Sequence, residues 1–221
     1  DAPFPNHGSF SWGDSQRIQR LSRLLSERKV HTQKSFIEMQ LDSVSYTART
    51  LLPLVGADLF FTEQSGAIGT QADNRRKAMS LLANWNGDMD EYSAEPLIYA
   101  TWMRALQDRL IRDEIGQLAD SFTHVKTLFI ERVFRDVDGA SIWCDIVQSA
   151  VKESCSEIAR IALDDAIIWL SERYATSLSD LRWGDAHKAI HIHETLGDVP
   201  ILKYFVNLEQ PTGGGDHTIQ R

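Results

Sequence analysis

Apolar residues that recur every three or four positions run through most of this chain and constrain its fold more than any other feature. Because positions three and four apart share one face of an α-helix, such spacing predicts amphipathic helices. One such face is formed by Ile37, Leu41, Val44, Ala48, Leu51, Leu52 and Val55, and Asp42-Ser43 is a possible break of this stretch into two helices. Similar spacing elsewhere predicts about seven or eight helices between residues 14 and 175, without a repeat of fixed length.

The first predicted helix carries arginines opposite its apolar face. Ile18, Leu21 and Leu25 follow one another at helical spacing. Arg17 and Arg20 lie between them, on the polar side of the pattern. We therefore expect both guanidinium groups to face water.

Local signals predict where the helices begin and end. Thr32 is a predicted N-cap, and Pro96 suits the first turn of a helix, where its missing N–H has no cost. Pro53 and Gly56 are predicted to end the helix that contains them. A loop is then expected over residues 57–70.

The two ends of the chain differ from this helical middle. Residues 1–13 hold two Pro and two Gly without periodicity, which predicts an extended arm. Residues 189–193 alternate with a period of two and predict a strand. A turn at Gly213-Gly214-Gly215 is expected to lead into a further strand over 217–220. The predicted fold class is therefore mainly α, an irregular multi-helix domain with a short β tail.

Composition fits a globular protein and excludes several classes of function. The chain has 221 residues, of which 43% are hydrophobic and 24% charged, and its net charge is −8. A chain of this length buries about 70–75% of its unfolded surface, which is enough for a stable core without disulfides or metals. A net negative charge disfavours nucleic acid, and no apolar run reaches the ~18 residues of a membrane span. We expect neither nucleic acid nor membrane as a partner.

Two sets of side chains resemble metal ligands. Asn86, Asp88 and Asp90 alternate as in the opening of a calcium loop, but the glycine and the closing glutamate of such a loop are missing. His191 and His193 share one face of the predicted strand, about 7 Å apart. We interpret the first set as a solvated turn and the second as a half-exposed strand face.

A metal-dependent enzyme that uses His187, His191 and His193 is an alternative, with Glu194 also near in sequence. No third ligand is evident from the spacing of these residues. The prediction is therefore no metal and no cofactor.

The sequence also has no complete set of residues for nucleophilic catalysis. No G-x-S-x-G elbow occurs, neither cysteine has the flanking pattern of a catalytic thiol, and position 1 is Asp1. The glycine-rich stretch 212–218 resembles an anion-binding loop, but it has neither the lysine nor the following helix of a phosphate loop. No catalytic residue is assigned.

The two cysteines leave two alternatives open. Cys144 and Cys155 are eleven residues apart, which on one unbroken helix is about 16 Å. A disulfide requires Cα atoms within about 7 Å. If the chain turns around Gln148-Ser149 the two can pair; otherwise they are two buried thiols.

A set of motifs, in this order along nearly the whole chain, resembles the penicillin acylase (penicillin amidase) family. Those motifs are Trp12-Gly13-Asp14 with Gln16–Leu21, His31-Thr32 with Phe36–Asp42, Ala48–Leu54, Leu82–Met89, Trp143-Cys144-Asp145, Glu153-Ser154-Cys155, Arg182–His187 and Gly213–Thr218. The least similar part is residues 57–70.

This resemblance implies an N-terminal-nucleophile hydrolase with a larger αββα fold. In such enzymes a precursor cleaves itself, and the N-terminal Ser of the larger subunit attacks an amide carbonyl with its own α-amino group as base. The chain resembles an internal segment of that larger (β) subunit. Residues 1–180 would be its helical domain, and residues 181–221 a strand-containing tail of the catalytic sheet region. The nucleophile would then lie outside this chain, which alone is expected to be inactive.

The resemblance also implies partners, substrate and location. The partners are the remainder of the acylase, meaning its small subunit and catalytic sheets, and a small amide of the β-lactam or N-acyl homoserine lactone type. Asp216 and Thr218 would be the residues nearest the substrate. Export to the bacterial periplasm would favour a disulfide between Cys144 and Cys155. The alternative is a helical interaction or scaffold domain without chemistry of its own.

Overall fold

A computed structural model describes residues 15–62 and 69–220. Within these ranges the fold is mainly α, as predicted, with one two-stranded sheet. The elements are α1 Gln16–Ser26, α2 Gln33–Gln40, α3 Tyr46–Thr62, α4 Thr70–Asn84, α5 Glu95–Ile115, α6 Thr127–Phe134, α7 Cys155–Tyr174, α8 Trp183–Ala186, β1 Lys188–His191, α9 Lys203–Val206 and β2 Leu208–Pro211. Three 3₁₀ segments join them, Gly116–Ser121, Val137–Cys144 and Leu178–Asp180. The predicted arm 1–13, the motif Trp12-Gly13-Asp14 and residues 63–68 of the predicted loop lie outside the described residues.

The long helices α5 and α7 pack against each other at the centre of the core. Trp102 of α5 is fully buried, and its indole Nε1 donates to the backbone carbonyl of Ala159 at 2.9 Å. Ala159, Ala162 and Ala166 of α7 are buried on the same side of their helix. Their small side chains let the two helices approach closely, because little volume separates the backbones.

Helix α3 continues where the sequence predicts a stop. Pro53 and Gly56 both lie inside it, and the helix ends only at Thr62. A proline inside a helix removes one backbone hydrogen bond and costs about 3 kcal/mol. Val55 and Leu59, which follow the proline, are each only 2% exposed. Burying two such side chains contributes about 1.5–3 kcal/mol each, which offsets the loss. The predicted end was therefore wrong.

Two helices begin with a reciprocal capping box, in which two side chains bind each other's backbone N–H. Thr32, the predicted N-cap of α2, forms this arrangement with Ser35. Ser154 and Glu157 form the second one at the start of α7. Because these contacts satisfy N–H groups that have no partner within the helix, they fix the first turn.

The C-terminal tail forms a hairpin, but not with the strands as predicted. Strand β1 pairs antiparallel with β2 from Lys188 opposite Pro211 to His191 opposite Leu208. Residues 217–220, which were expected to form a strand, lie in turns and bends instead. The side-chain hydroxyl of Thr218 closes a local turn there, so the backbone does not extend.

The segment between the two cysteines reverses direction. A turn closes where the N–H of Ser149 donates to the carbonyl of Ile146 at 2.8 Å. The Cα atoms of Cys144 and Cys155 lie 5.0 Å apart, and the structure joins the two by a disulfide. The bond connects the end of the 3₁₀ segment Val137–Cys144 to the first turn of α7.

Candidate functional site

The glycine-rich loop, residues 213–218, lies across the segment that connects α4 to α5. The N–H of Gly214 donates to the carbonyl of Met89 at 2.8 Å, and the indole Nε1 of Trp183 donates to the carbonyl of Gly214 at 2.9 Å. Gly214 has a φ of +82°, and a Cβ there would lie 3.0 Å from the carbonyl carbon of Gln220. Both the positive φ and the close backbone approach require glycine at this position.

The hydroxyl of Thr218 is used by the loop itself. Its side chain is buried, with 1% exposure. Its Oγ1 accepts from the N–H of Gly215 at 2.8 Å and lies within hydrogen-bond reach of the carbonyl oxygens of Gly215 and Gln220. A hydroxyl has one proton, which Thr218 directs to these two carbonyl oxygens, while one of its two lone pairs accepts from Gly215. Thr218 therefore acts as a clamp that closes the loop.

Asp216 lies on the outer side of the same turn. Its side chain is 52% exposed, and its Oδ2 lies 3.3 Å from Nδ1 of His124. His124, in the segment before α6, is itself exposed. The two residues predicted near the substrate thus differ in environment, because Thr218 points into the fold while Asp216 points outward.

Both residues line one small cavity between the loop and the helices. Its volume is about 160 Å³, and its walls include Thr47 of α3 and Tyr99 of α5. Burial raises the pKa of the Tyr99 phenol well above its ordinary value, so the group stays neutral. The Thr47 hydroxyl is buried and has no hydrogen-bond partner among the described residues. Since sites for drug-sized ligands are about 300–1,000 Å³, this cavity is too small for a ligand of that size.

Arginines of α1 hold the end of the loop, contrary to the expectation that they face water. Arg20 is only 8% exposed and binds both carboxylate oxygens of Asp42, at 2.9 and 2.6 Å. The hydrogen bond to Asp42 raises the pKa of Arg20 despite burial. Arg17 donates from Nη2 to the carbonyl of Ile219 at 2.8 Å, and the carbonyl of Asp42 accepts from the N–H of Gln220 at 3.0 Å. The tail and the first two helices therefore form one connected unit.

Nothing in the sequence indicated these arginine contacts. A charged residue on the polar side of a helix is normally solvated, and the pairing depends on segments far apart in the chain. Asp42, at the end of α2, had been noted only as part of a motif. Because the partners are brought together by tertiary packing, spacing along one helix could not identify them.

The residues of the suggested calcium loop each bind a protein group, two of them close in sequence and Asp88 in the segment before α3. The Oδ1 of Asn86 accepts from the N–H of Asp88 at 2.8 Å. The carboxylate of Asp88 accepts from the hydroxyl of Ser43, and that of Asp90 from the N–H of Tyr92 and from Ser93. The carboxylate of Asp90 thus stabilises its own turn, whereas that of Asp88 connects this turn to the segment between α2 and α3.

The histidines of the tail are spread over the hairpin. His187 stacks on Trp183, with ring centroids 4.9 Å apart, and its Nδ1 lies 2.9 Å from the carbonyl of Thr212. His193 is exposed, and its Nδ1 accepts from the N–H groups of Thr195 and Leu196. Across residues 15–62 and 69–220, no group of three or more potential ligand side chains could hold a metal ion.

Two further features limit the chemistry of the described part of the chain. Both cysteines are in the disulfide, so neither provides a thiolate nucleophile. Among the described residues, no helix combines the length and apolar character needed to cross a membrane. The site is thus a structural junction around a small cavity.

Comparison with known families identifies the class of protein. A family model described as penicillin amidase matches residues 1–221. The chain therefore belongs to the penicillin amidase family, a family of acylase-like amidohydrolases. Comparison with curated proteins gave no match.

Proposed function

We propose that this chain is the helical part of an acylase that hydrolyses a side-chain amide through an N-terminal serine outside residues 1–221. The observation that carries the proposal is the family match along all 221 residues. The arrangement of the described residues supports it. The Thr218 hydroxyl is bound within its own loop and both cysteines are oxidised, so none of these three residues offers a free nucleophile. A chain of this family without its nucleophile would be inactive alone.

In the proposed mechanism, the reaction takes place at the N-terminal serine outside residues 1–221. Its hydroxyl attacks the amide carbonyl, and its own α-amino group accepts the proton, since the unperturbed pKa of that group is about 8. The amine leaves, an acyl-enzyme forms, and water releases the acid. An asparagine side chain and backbone N–H groups elsewhere in the acylase would hold the oxyanion. The present chain would support the sheets that carry these groups.

The substrate we propose is a small amide of the β-lactam or N-acyl homoserine lactone type. The partners would be the small subunit and the catalytic sheets of the same acylase, without nucleic acid or membrane. Residues 1–180 would be the helical domain and residues 181–221 a strand-containing tail of the catalytic sheet region, with Asp216 and Thr218 as the residues nearest the substrate. We propose a periplasmic or secreted location, where the disulfide persists.

Amide hydrolysis by the complete open reading frame, beside the 221-residue chain, tests this function. Both are assayed with phenylacetyl and long-chain acyl chromogenic amides, and self-processing is followed by mass spectrometry. We expect the complete protein to process itself and cleave an amide while the chain alone is silent. Hydrolysis by the chain alone, or an unprocessed and inactive complete protein, would contradict the proposal.

A further inference from the structure

An open groove runs along α3, and none of the residues that line it also lines the cavity beside the glycine-rich loop. The volume of the groove is about 740 Å³, within the usual range for small-molecule sites. One wall is formed by α3 from Arg49 to Phe60, which spans about 16 Å at 1.5 Å per residue. The other wall is the end of α4 and the turn after it. The lining residues are Ala48, Arg49, Leu52, Pro53, Ala57, Phe60, Leu82, Ala83, Trp85, Asn86 and Gly87.

The groove is apolar along its length and cationic at one end. Arg49 is the single charged residue among the described residues that line it. The small side chains of Ala57 and Ala83 are exposed and leave the groove open to solvent. Trp85 is held in place because its indole Nε1 donates to the carbonyl of Asp88 at 2.7 Å.

Arg49 is fixed in position but has no anionic partner. Its Nε donates to the carbonyl of Asn86 at 2.6 Å, which orients the guanidinium. Gly87 has a φ of +86°, and a Cβ there would lie 3.1 Å from Cγ of Arg49, so glycine makes room for the side chain. Within residues 15–62 and 69–220, no carboxylate forms an ion pair with Arg49. Among the same described residues, none accepts a hydrogen bond from its two terminal nitrogens, so their N–H groups can bind a ligand.

We propose that this groove binds an amphipathic carboxylate, such as a fatty acid, with the carboxylate on Arg49 and the chain along α3. A single guanidinium matches the single charge of a carboxylate and can bind it with two parallel hydrogen bonds. The apolar wall contributes in proportion to the area of the chain that it removes from water. This proposal does not depend on the acylase reaction, since the groove lies apart from the loop of Asp216 and Thr218.

Photolabelling locates the ligand directly. The probe is a dodecanoic acid that carries a diazirine on its chain, applied to the complete protein and followed by peptide mass spectrometry. We expect labels within residues 50–60 and 82–87. Unlabelled dodecanoate should compete for the site, whereas dodecanol should not, because it has no charge for Arg49.

Two pairs of variants separate charge from shape. Arg49→Gln should reduce labelling about tenfold or more, since a charge-assisted hydrogen bond is lost, while Arg104→Gln on α5, outside the groove, should not. Ala57→Trp should block the groove and abolish labelling. Its control, Ile168→Trp, adds the same side chain at an exposed position of α7 and should change nothing.

Three results would overturn the proposal. These are no label in the two stretches, labelling that Arg49→Gln and Ala57→Trp leave unchanged, or equal competition by dodecanol. Absence of label would mean that another part of the acylase covers the groove. A complete protein that fails the amide assay yet is labelled within residues 50–60 and 82–87 would contradict the proposed function but retain the groove as a carboxylate site.

Discussion

Arg20 and Asp42 form a bidentate ion pair near the end of the C-terminal loop, and their side chains are only 10% and 12% exposed. The backbone carbonyl of the same Asp42 accepts from the N–H of Gln220. One residue just after α2 therefore binds α1 through its side chain and the tail through its backbone. Its loss is expected to loosen both.

Asp42→Asn should destabilise the fold strongly, although it keeps the shape of the side chain. It leaves Arg20 buried without its counter-charge, and breaking a buried pair costs about 3–5 kcal/mol. Urea unfolding measures the change in the free energy of unfolding. Glu27→Gln is the matched control, because the pair of Glu27 with Arg23 is exposed and such pairs contribute about 0–1 kcal/mol. Equal losses for both variants would contradict a special role for Asp42.

Thr218→Val tests the clamp that closes the glycine-rich loop. Valine has the same shape but leaves the N–H of Gly215 without its acceptor, which costs about 1–3 kcal/mol when the group is buried. Thr218→Ser retains the hydroxyl and should lose less. The free energy of unfolding, together with hydrogen exchange at residue 215, distinguishes the two variants. If valine and serine behave alike, the hydroxyl does not hold the loop.

Helices were the most predictable part of this fold, because the spacing of apolar residues is local, but Ile18 of α1 and Ile37 of α2 were placed on apolar faces and are exposed. Thr32 and Pro96 also act as the sequence indicates, since capping depends on neighbouring residues. The end of α3 was predicted wrongly. A local rule for Pro53 could not include the burial of Val55 and Leu59 against other helices.

The contacts around the loop were less predictable. Asp216 and Thr218 were selected from a motif, yet the sequence does not distinguish the outward carboxylate from the buried hydroxyl. Arg20 was expected to face water because it lies on the polar side of α1. The pattern within this helix could not show that its partner Asp42 lies 22 residues further along the chain. Such pairs depend on how α1 and α2 pack, which periodicity within one helix does not specify.

Removal of the disulfide should destabilise the chain moderately. The bond closes a loop with a sequence separation of 11, and a loop of that size contributes about 2–3 kcal/mol by restricting the unfolded chain. We expect Cys144→Ala with Cys155→Ala to lower the free energy of unfolding by that amount. Thiol titration under denaturing conditions should find no free thiol before reduction and two afterwards. Two thiols before reduction would contradict the disulfide.

Glu157 should make the stability of the chain depend on acid pH. Hydrogen bonds from the backbone N–H and the hydroxyl of Ser154 lower the pKa of its carboxyl, because they favour the charged form. The unfolded chain has the ordinary glutamate pKa of about 4.3. Stabilisation by this group is therefore complete above that value and is lost as the pH falls through the lower pKa of the folded state. Glu157→Gln should weaken the dependence of the unfolding free energy on pH in this range, as measured by urea unfolding at a series of pH values. Glu172→Gln, near the other end of α7 and outside any cap, should leave it unchanged, and an identical slope in all three proteins would contradict the role of the capping box.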